Sequence, residues 1–491
     1  MILALLTLSF TPYFAPPQSP APAGPPRVAK VLQIGIDGVR PDALLAAKTP
    51  NIDLLIERGV FTAEARTTSI TSSGPAWTSI LTGARMSLHN VTDNSFKGSR
   101  VAVWDTWLGQ LETRRPDSFT AAVSQWGPIH EQLTTGCVDF SAGVGTAAEV
   151  TASAKELFAS QEHDVTALFL HYDDVDHAGH AFGYSVEVPE YIAAIEAVDL
   201  EIGLLLDALK ARENSAHEDW LILIGTDHGG KNKGHGEDIP ACRTVFMLAS
   251  ADNMPTFSWR PAPEVIDFSS LALNHLGLNG PTVVQTRQQE WWEQRHEMLN
   301  HRAAEGTAKV AFFGDSITHG WENAGKEIWK DVYAPLGAAN FGISGDCTEH
   351  VLWRMRHGNL KNMRPDVCVV MIGTNNAHRD TPEEIAKGVE SVVAELLFTL
   401  PETEVLLLAI FPRGPDTEDL LRIVNRKVNE QLSPWAASRD QVHFLNLNPL
   451  FLTEEGTLSA NIMPDLLHPN AEGYRIWAEG MESALAELLE D

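Results

Sequence analysis

The feature that most constrains the fold is an alternation of short apolar runs with helical patterns, found in both halves of the chain. Buried strands are predicted at 30–36, 167–172 and 220–225, and again at 309–313, 367–372, 404–411 and 442–447. This alternation is typical of doubly wound α/β sheets with helices on both faces. Because 491 residues exceed one typical domain, we predict two three-layer α/β/α domains in series.

The boundary between the halves is predicted at the Gly280-Pro281 break, which a charged helix through Trp291 and Trp292 follows. We therefore assign residues 27–280 to the first domain, 281–307 to a linker with a leading helix, and 308–491 to the second domain. The sequence Thr381-Pro-Glu-Glu384 predicts a capping box that opens a helix in the second domain.

The first ten residues form an apolar run that a Pro-rich stretch follows up to residue 26. This pattern predicts a signal peptide and a disordered tether over residues 1–26, hence a secreted or periplasmic protein. No Lys or Arg precedes Arg27, so the usual basic region is missing, and a misassigned start codon remains the alternative. The run is too short for a membrane anchor, and no later stretch has transmembrane length.

The net charge of −29 argues against nucleic acid or an anionic membrane as a partner. An anionic substrate stays compatible with it, since bound dications reverse the local field of a carboxylate-rich site. The four cysteines show no metal-binding spacing. Cys368 lies in an apolar strand and is predicted to be a buried thiol. A disulfide between Cys137 and Cys242 is left open.

Acidic and histidine side chains of the first half cluster where predicted strands end, the position at which open α/β sheets build their sites. They supply carboxylates and imidazoles, a mixed ligand set that suits two zinc ions, and they are Asp37, Asp176, His180, Asp227, His228 and His235. Ser73 precedes Pro75, so its hydroxyl is predicted at a helix N-terminus, where N–H groups favour an anion.

These motifs resemble the type I phosphodiesterase/nucleotide pyrophosphatase branch of the alkaline phosphatase superfamily. The matching segments are Gly35-Ile-Asp-Gly-Val-Arg-Pro-Asp42, Ser73-Gly-Pro, Ser79-Ile-Leu-Thr-Gly83, His89 with Asn94, Asp176-His-Ala-Gly-His180, Thr226-Asp-His-Gly229 and Gly234-His-Gly236. The resemblance implies one zinc on Asp176, His180 and His235. It implies a second zinc on Asp37, Asp227, His228 and Ser73. Zinc-assisted in-line attack of Ser73 on phosphorus, then hydrolysis of the covalent intermediate by water, is the implied mechanism.

Three positions depart from the motifs of related families. The phosphodiesterase branch usually has Thr as nucleophile and an Asn soon after it, where this chain has Ser73 and Ala76. Ser73-Gly-Pro also approaches a sulfatase motif, but Trp77 stands where that motif has Arg. A sulfatase, a phosphoryl transferase and a non-catalytic zinc module therefore remain alternatives for the first domain.

The second half holds a separate set of residues that suits nucleophilic catalysis. Ser316 lies in Gly314-Asp-Ser316 after a strand, and Asp465-Leu-Leu-His468 precedes the final helix. His468 would deprotonate Ser316, and Asp465 would orient the imidazole. The backbone N–H groups of Ser316 and Gly345 and the side chain of Asn375 would receive the oxyanion.

This half resembles the SGNH, or GDSL, hydrolases, and within them the catalytic subunits of platelet-activating-factor acetylhydrolase type Ib. The resemblance runs from Trp291 to Leu489 and is carried by Asn340-Phe-Gly-Ile-Ser-Gly-Asp346, His350-Val-Leu-Trp-Arg-Met-Arg-His-Gly-Asn-Leu360, Gly373-Thr-Asn-Asn376 and Pro412-Arg-Gly414. It implies a flavodoxin-like domain without a cofactor and an acetyl or short-chain ester substrate. Small-molecule, glycan and lipid esters are all compatible, and O-acetylated glycans are our hypothesis for an exported enzyme. The oligomeric state is left open.

Overall fold

The computed structural model describes residues 27–252, 259–260 and 262–490. The predicted signal peptide and tether over residues 1–26 lie outside this part of the chain. None of the helices in the described ranges combines the length and the apolar character that a membrane span requires.

The first domain is built on a seven-stranded sheet with the order β2-β7-β6-β1-β5-β3-β4. Its strands are β1 (Val28–Ile36), β2 (Val60–Arg66), β3 (Phe119–Ser124), β4 (Phe140–Gly143), β5 (Val165–Tyr172), β6 (Glu218–Gly225) and β7 (Thr244–Ser250). Central β1 pairs in parallel with β5 and with β6. Strand β7 runs antiparallel to both of its neighbours, so the sheet is mixed.

Helices cover both faces of this sheet, as the predicted three-layer architecture requires. They are α1 (Pro41–Ala46), α2 (Pro50–Arg58), α3 (Ser73–Thr82), α4 (Met86–His89), α5 (Trp107–Arg114), α6 (Gly127–Ile129), α7 (Ala147–Ala159), α8 (Asp174–Phe182), α9 (Pro189–Lys210), α10 (Pro240–Arg243) and α11 (Asp267–His275). Side chains along β1 alternate between the two faces of the sheet. Leu32 and Ile34 pack in the apolar cluster on one face, and Val31 packs in the cluster on the other.

The second domain has a five-stranded, all-parallel sheet with the order β12-β11-β10-β8-β9. Its strands are β8 (Val310–Gly314), β9 (Ala338–Gly342), β10 (Val367–Met371), β11 (Glu404–Leu408) and β12 (Val442–Leu445). This is the flavodoxin-like order, which reverses between the first and third strands of the domain. The topology confirms the predicted fold class.

The helices of the second domain again lie on both faces of the sheet. They are α12 (Glu290–Ala304), α13 (Ser316–His319), α14 (Lys326–Ile328), α15 (Thr348–Arg354), α16 (Pro382–Thr399), α17 (Leu420–Ala436), α18 (Asn448–Phe451) and α19 (Ala471–Glu490). The predicted capping box at Thr381 and Glu384 is present at the start of α16. Trp292 of α12 packs in a core cluster of this domain, so the leading helix is part of its body.

Single turns of 3₁₀ and π type connect several of these elements. The 3₁₀ turns are Ser215–His217, Gly320–Glu322, Ala334–Leu336 and Asn376–His378. The π turns are His130–Thr134, Trp329–Tyr333 and Met355–Asn359. All four cysteines are free thiols, so Cys137 and Cys242 form no disulfide in this structure, and Cys368 is fully buried in β10.

A buried ionic network joins the two domains. Arg85, directly before α4, lies 2.8 Å from carboxylate oxygens of both Glu264 and Glu395. Arg356 contacts Glu395 at 3.0 Å and Asp267 at 3.3 Å. Glu395 thus sits between two arginines, one from each domain. Burial acts to raise its pKa, but the charges of Arg85 and Arg356 hold that pKa well below its ordinary value.

We expect the substitution Glu395→Gln to lower the free energy of unfolding by about 1–3 kcal/mol, because it removes the counter-ion that Arg85 and Arg356 share, while Glu264 and Asp267 still neutralise part of their charge. Urea denaturation measures the effect. Glu430→Gln is the control, since Glu430 pairs with Arg426 on the exposed surface and such pairs contribute about 0–1 kcal/mol. Equal effects of the two substitutions would contradict a stabilising role for the network.

The same network predicts a pH dependence. The pKa of Glu395 is lower in the folded than in the unfolded chain, so its stabilisation is complete above the ordinary value of 4.5. It is lost as the pH falls through and below that value. The difference in urea midpoint between wild type and Glu395→Gln should therefore shrink in acid.

Candidate active sites

The candidate metal site lies at the carboxyl ends of three adjacent strands. Asp37 follows β1, the 227–228 pair follows β6, and Asp176 and His180 lie in α8 after β5. Because β1 pairs with both β5 and β6, these loops meet at one edge of the sheet. His235 and Ser73 reach the same place from other loops. The structure thus brings all seven predicted residues together.

One group surrounds His228. Its Nε2 lies 3.3 Å from Asp37 Oδ1, 3.3 Å from Asp227 Oδ2 and 3.5 Å from Ser73 Oγ. All four side chains are buried. The donor atoms of the two aspartates and His228 lie within 4.8 Å of one another, close enough to hold one metal ion.

A second group adjoins the first. His180 Nε2 lies 3.1 Å from His235 Nε2 and 3.3 Å from Asp176 Oδ2, while His235 Nε2 lies 3.9 Å from Asp176 Oδ1. The rings of His228 and His235 stack with centroids 3.7 Å apart. Asp176, His228 and His235 also have the spacing of a metal site, so His228 belongs to both groups.

The hydrogen bonds of the three imidazoles fit metal ligation. In each ring Nδ1 faces a backbone carbonyl, which only accepts: Gly229 for His228, Thr71 for His235 and Lys233 for His180. Nδ1 therefore carries a proton, and the Nε2 atoms converge on the carboxylates and on each other. This is the usual outer-shell geometry of metal-bound histidine, in which Nε2 binds the ion.

The carboxylates of this site also fit the binding of a metal ion. Asp37 Oδ1 and Asp227 Oδ2 are buried and have no hydrogen-bond partner among the described residues. Burial and nearby acidic groups raise the pKa of each aspartate well above the ordinary value of an aspartate. A cation bound between these oxygens would satisfy both, so the residues present fit a metal.

Trp77 and His171 hold the other oxygen of Asp37. Trp77 Nε1 donates to Asp37 Oδ2 at 2.8 Å, and His171 Nε2 lies 3.1 Å from the same atom. His171 Nδ1 accepts from the backbone N–H of Trp126 at 3.4 Å, which assigns the proton to Nε2 and makes His171 a donor. Sequence reasoning missed both roles, since it treated Trp77 only as a departure from the sulfatase motif.

Ser73 is the first residue of α3, as its place before Pro75 predicts. Beside it, the Gly74 N–H donates to Asn94 Oδ1 at 2.8 Å. An amide side chain is therefore fixed next to Ser73, although Ala76 cannot supply one. The sequence signal for it was present in the motif that includes Asn94, but the local pattern gave no reason to bring that loop to Ser73.

We expect Trp77→Phe to lower metal affinity by about 10–100-fold, the usual effect of removing a hydrogen bond to a metal ligand. Metal titration of the purified variant measures this affinity. Trp107→Phe is the matched control, because buried Trp107 donates to Gln33 and does not contact the site. An equal loss in both variants would point to packing instead.

The second site lies at the switch point of the flavodoxin-like sheet. Ser316 follows β8, Asn375 follows β10, and these two strands are adjacent where the strand order reverses. Gly345 follows β9 on the other side of β8. Ligands of open α/β sheets bind at such a point, so the fold alone brings these loops to one crevice.

Ser316, His468 and Asp465 form a continuous hydrogen-bonded chain. Ser316 Oγ lies 2.8 Å from His468 Nε2, and His468 Nδ1 lies 2.7 Å from Asp465 Oδ2. Burial acts to raise the pKa of Asp465, but hydrogen bonds from the His468 backbone and side chain lower it. The ionised Asp465 makes Nδ1 the donor, so Nε2 faces Ser316 as an acceptor. This is the geometry of a serine nucleophile with its base.

The loop that carries Gly345 is held from three sides. Asn375 Nδ2 donates to the Asp346 carbonyl at 2.8 Å. Trp292 Nε1 donates to Asp346 Oδ1 at 2.7 Å, and Arg287 Nη1 donates to the Ser344 carbonyl at 2.8 Å. Gly345 has a φ of 77°, the left-handed region that favours glycine. Residues from the segment between the domains thus buttress the candidate oxyanion loop, which the sequence did not indicate.

Comparison with known proteins agrees with a two-domain architecture. The type I phosphodiesterase/nucleotide pyrophosphatase family model matches residues 31–241, and the GDSL-like lipase/acylhydrolase family model matches residues 312–476. Platelet-activating factor acetylhydrolase IB subunit alpha1 of Bos taurus is 37% identical over 210 residues, which are 43% of this chain and 89% of the relative. Subunit alpha2 of Rattus norvegicus is 35% identical over 200 residues, or 41% and 86% of the two chains.

Among solved structures, murine ectonucleotide pyrophosphatase/phosphodiesterase 5 is 16% identical, with a TM-score of 0.43. The match covers 54% of this chain and 99% of that one.

Fold and family together define a hydrolase with two domains, each from a class that acts on ester bonds. The chain belongs to the GDSL-like lipase/acylhydrolase family through its second domain. Its first domain matches the type I phosphodiesterase/nucleotide pyrophosphatase family model and resembles the alkaline phosphatase superfamily.

Proposed function

We propose that the protein is a bifunctional ester hydrolase with two independent sites. The first is a di-zinc phosphodiesterase or phosphatase with Ser73 as nucleophile, and the second is a metal-independent acetylesterase with Ser316 as nucleophile. The observation that carries the first assignment is the convergence of three Nε2 atoms, each on a ring whose Nδ1 faces a backbone carbonyl, and of two buried carboxylates beside a serine. The Ser316–His468–Asp465 chain carries the second.

In the first site, Ser73 attacks phosphorus in line from the first position of α3, where the positive end of the helix dipole favours the phosphoryl anion. The amide of Asn94 supports the phosphoryl oxygens from the side of Gly74. Asp37 is kept in place by Trp77, so its free oxygen stays aimed at His228. When bound, zinc supplies the Lewis acidity that activates the serine hydroxyl and offsets the charge of the phosphoryl group.

In the second site, His468 Nε2 accepts the proton of Ser316 while Oγ attacks the acyl carbon. The N–H groups of Ser316 and Gly345, with Asn375, stabilise the oxyanion. His468 then protonates the leaving alcohol, and water releases the acid from the acyl-serine by the reverse sequence of proton transfers. Asp465 keeps the imidazole in the required tautomer throughout.

A panel of aryl esters tests this proposal on the purified wild-type chain. We expect hydrolysis of 4-nitrophenyl acetate, and of either 4-nitrophenyl phosphate or bis(4-nitrophenyl) phosphate, together with about two bound zinc ions per chain. Cleavage of 4-nitrophenyl sulfate in place of both phosphates would assign the first domain as a sulfatase. Bound zinc without turnover of any phosphate or sulfate would make it a non-catalytic module.

We also propose that the protein acts outside the cytoplasm and that its domains comprise residues 27–280 and 308–491. The apolar run and Pro-rich stretch of residues 1–26 support export. Fractionation of expressing cells, with and without residues 1–26, tests it, and retention of both forms in the cytoplasm would contradict it. Limited proteolysis tests the boundaries.

A further inference from the structure

Arg413 carries a charge that the catalytic scheme above does not use. It lies in the turn Pro412-Arg-Gly414, which comes after β11, and it is half-buried. Among the residues that the structure describes, no carboxylate oxygen lies within 4.0 Å of its guanidinium nitrogens. Arg379, directly after the 3₁₀ turn Asn376–His378, differs in this respect, because Glu349 and Asp380 contact it at 2.6 and 2.8 Å. Asp419, Asp315 and Asp465 act on the charge of Arg413 without forming an ion pair with it. A half-buried guanidinium without a direct ion pair is a ready partner for an anion.

The turn touches both catalytic loops of the second site. Arg413 Nη1 donates to the Thr374 carbonyl at 3.1 Å and to its hydroxyl at 3.3 Å, directly before Asn375. The Gly414 N–H donates to the Leu466 carbonyl at 2.9 Å, between Asp465 and His468. Because His468 must protonate the leaving alcohol, the side of the crevice next to its loop is the side of the alcohol.

The donors left on Arg413 have the geometry of an anion fork. Its two Nη1 donors are engaged by Thr374, and Nη2 lies 3.4 Å from Nε2 of the exposed His378. Among the described residues, none accepts a hydrogen bond from Nε of Arg413, and Nη2 has one further N–H. Nε and Nη2 lie along one edge of the guanidinium. This edge binds carboxylate and phosphate in a bidentate manner.

We propose that Arg413, with His378 beside it, binds an anionic oxygen group on the alcohol part of the ester that Ser316 cleaves. The group is a phosphate, a sulfate or a carboxylate. This inference rests on the proposed esterase function of the second site. A phosphate on the alcohol is also a group that the first site would remove, so both sites could act in turn on one molecule.

Two acetyl esters of matched shape test the proposal, 4-acetoxybenzenesulfonate and the neutral 4-acetoxybenzenesulfonamide. The sulfonate is bonded through carbon, so phosphoester or sulfate-ester hydrolysis cannot remove it. We expect wild type to prefer the sulfonate, and Arg413→Gln to lower the ratio of the two kcat/KM values about tenfold or more. Arg413→Lys, which keeps the charge without the fork, should restore part of the ratio.

Arg379→Gln is the control and should leave the ratio unchanged, since its charge is already neutralised. An equal loss on both esters in Arg413→Gln and Arg413→Lys would show that Arg413 only positions the loop of Asn375, and would overturn the anion subsite. An unchanged ratio would overturn it as well. Absence of acetate release from both esters in wild type would overturn the esterase function and the subsite with it. 4-Acetoxybenzoate, and 4-acetoxyphenyl phosphate assayed in Ser73→Ala, identify the preferred anion.

Discussion

Replacing Ser316 by alanine is expected to lower kcat/KM for 4-nitrophenyl acetate by about 10⁴-fold or more. The substitution removes the hydroxyl oxygen that lies 2.8 Å from His468 Nε2 and is proposed to attack the acyl carbon, while Asp465 and the imidazole stay in place. Since the three residues act as a unit, the double variant Ser316→Ala/His468→Ala should be no slower than either single variant. Initial rates at several ester concentrations give these values.

Phosphoester hydrolysis by the Ser316→Ala variant is an internal control. Phosphoester hydrolysis by Ser316→Ala should equal that of wild type, because the first site draws no residue from the second domain. Ser391→Ala serves as a second control, since the Ser391 hydroxyl only donates to a carbonyl within α16. Acetate release that persists above about one hundredth of the wild-type rate would mean that Ser316 is not the nucleophile.

Replacing Ser73 by alanine is expected to lower phosphoester hydrolysis by about a thousandfold or more, which corresponds to the several kcal/mol that an activated nucleophile contributes. The six aspartate and histidine ligands remain, so bound metal should stay close to the wild-type amount. Loss of activity with metal retained therefore assigns the effect to chemistry. Elemental analysis and 4-nitrophenolate release provide the two measurements.

Chelation should affect only the first site. Removing the metal is expected to abolish phosphoester hydrolysis and to spare acetate release, because the second site assembles its charge stabilisation from backbone and amide donors. Loss of acetate release on chelation would contradict the metal-independent assignment. Loss of both activities with either serine variant would contradict two independent sites.

Local sequence patterns predicted much of the sheet framework. All seven predicted strands are present. Strands β2, β3, β4, β7 and β9 were not predicted. The edge strands β2 and β4 are partly exposed and lack a long apolar run, whereas β3, β7 and β9 are short buried strands that the pattern missed. The antiparallel direction of β7 could not be predicted either, since strand direction depends on how the preceding loop crosses the sheet.

The residues of the candidate sites were also predicted in part: the sequence identified those in short motifs and missed those that support them. Motif residues such as Asp37, His235 and Ser316 were named from the sequence because each follows a strand or lies in a distinctive short segment. Supporting residues were missed because their role arises from contacts across long sequence separations, as between Trp77 and Asp37 or between Arg287 and Ser344. Neither Trp77 nor Arg287 differs locally from an ordinary core or surface residue.

The sequence by itself determined two α/β domains and two separate sets of chemical groups, since periodicity, turn residues and short motifs are local properties of the chain. The tertiary structure alone decided which oxygen of Asp37 is free and which is held, and how Glu395 links the domains. It also left Arg413, beside the second site, without a direct ion pair to any residue of the described ranges. These features depend on distances between residues far apart in the chain, and only the packing of helices against the two sheets sets those distances.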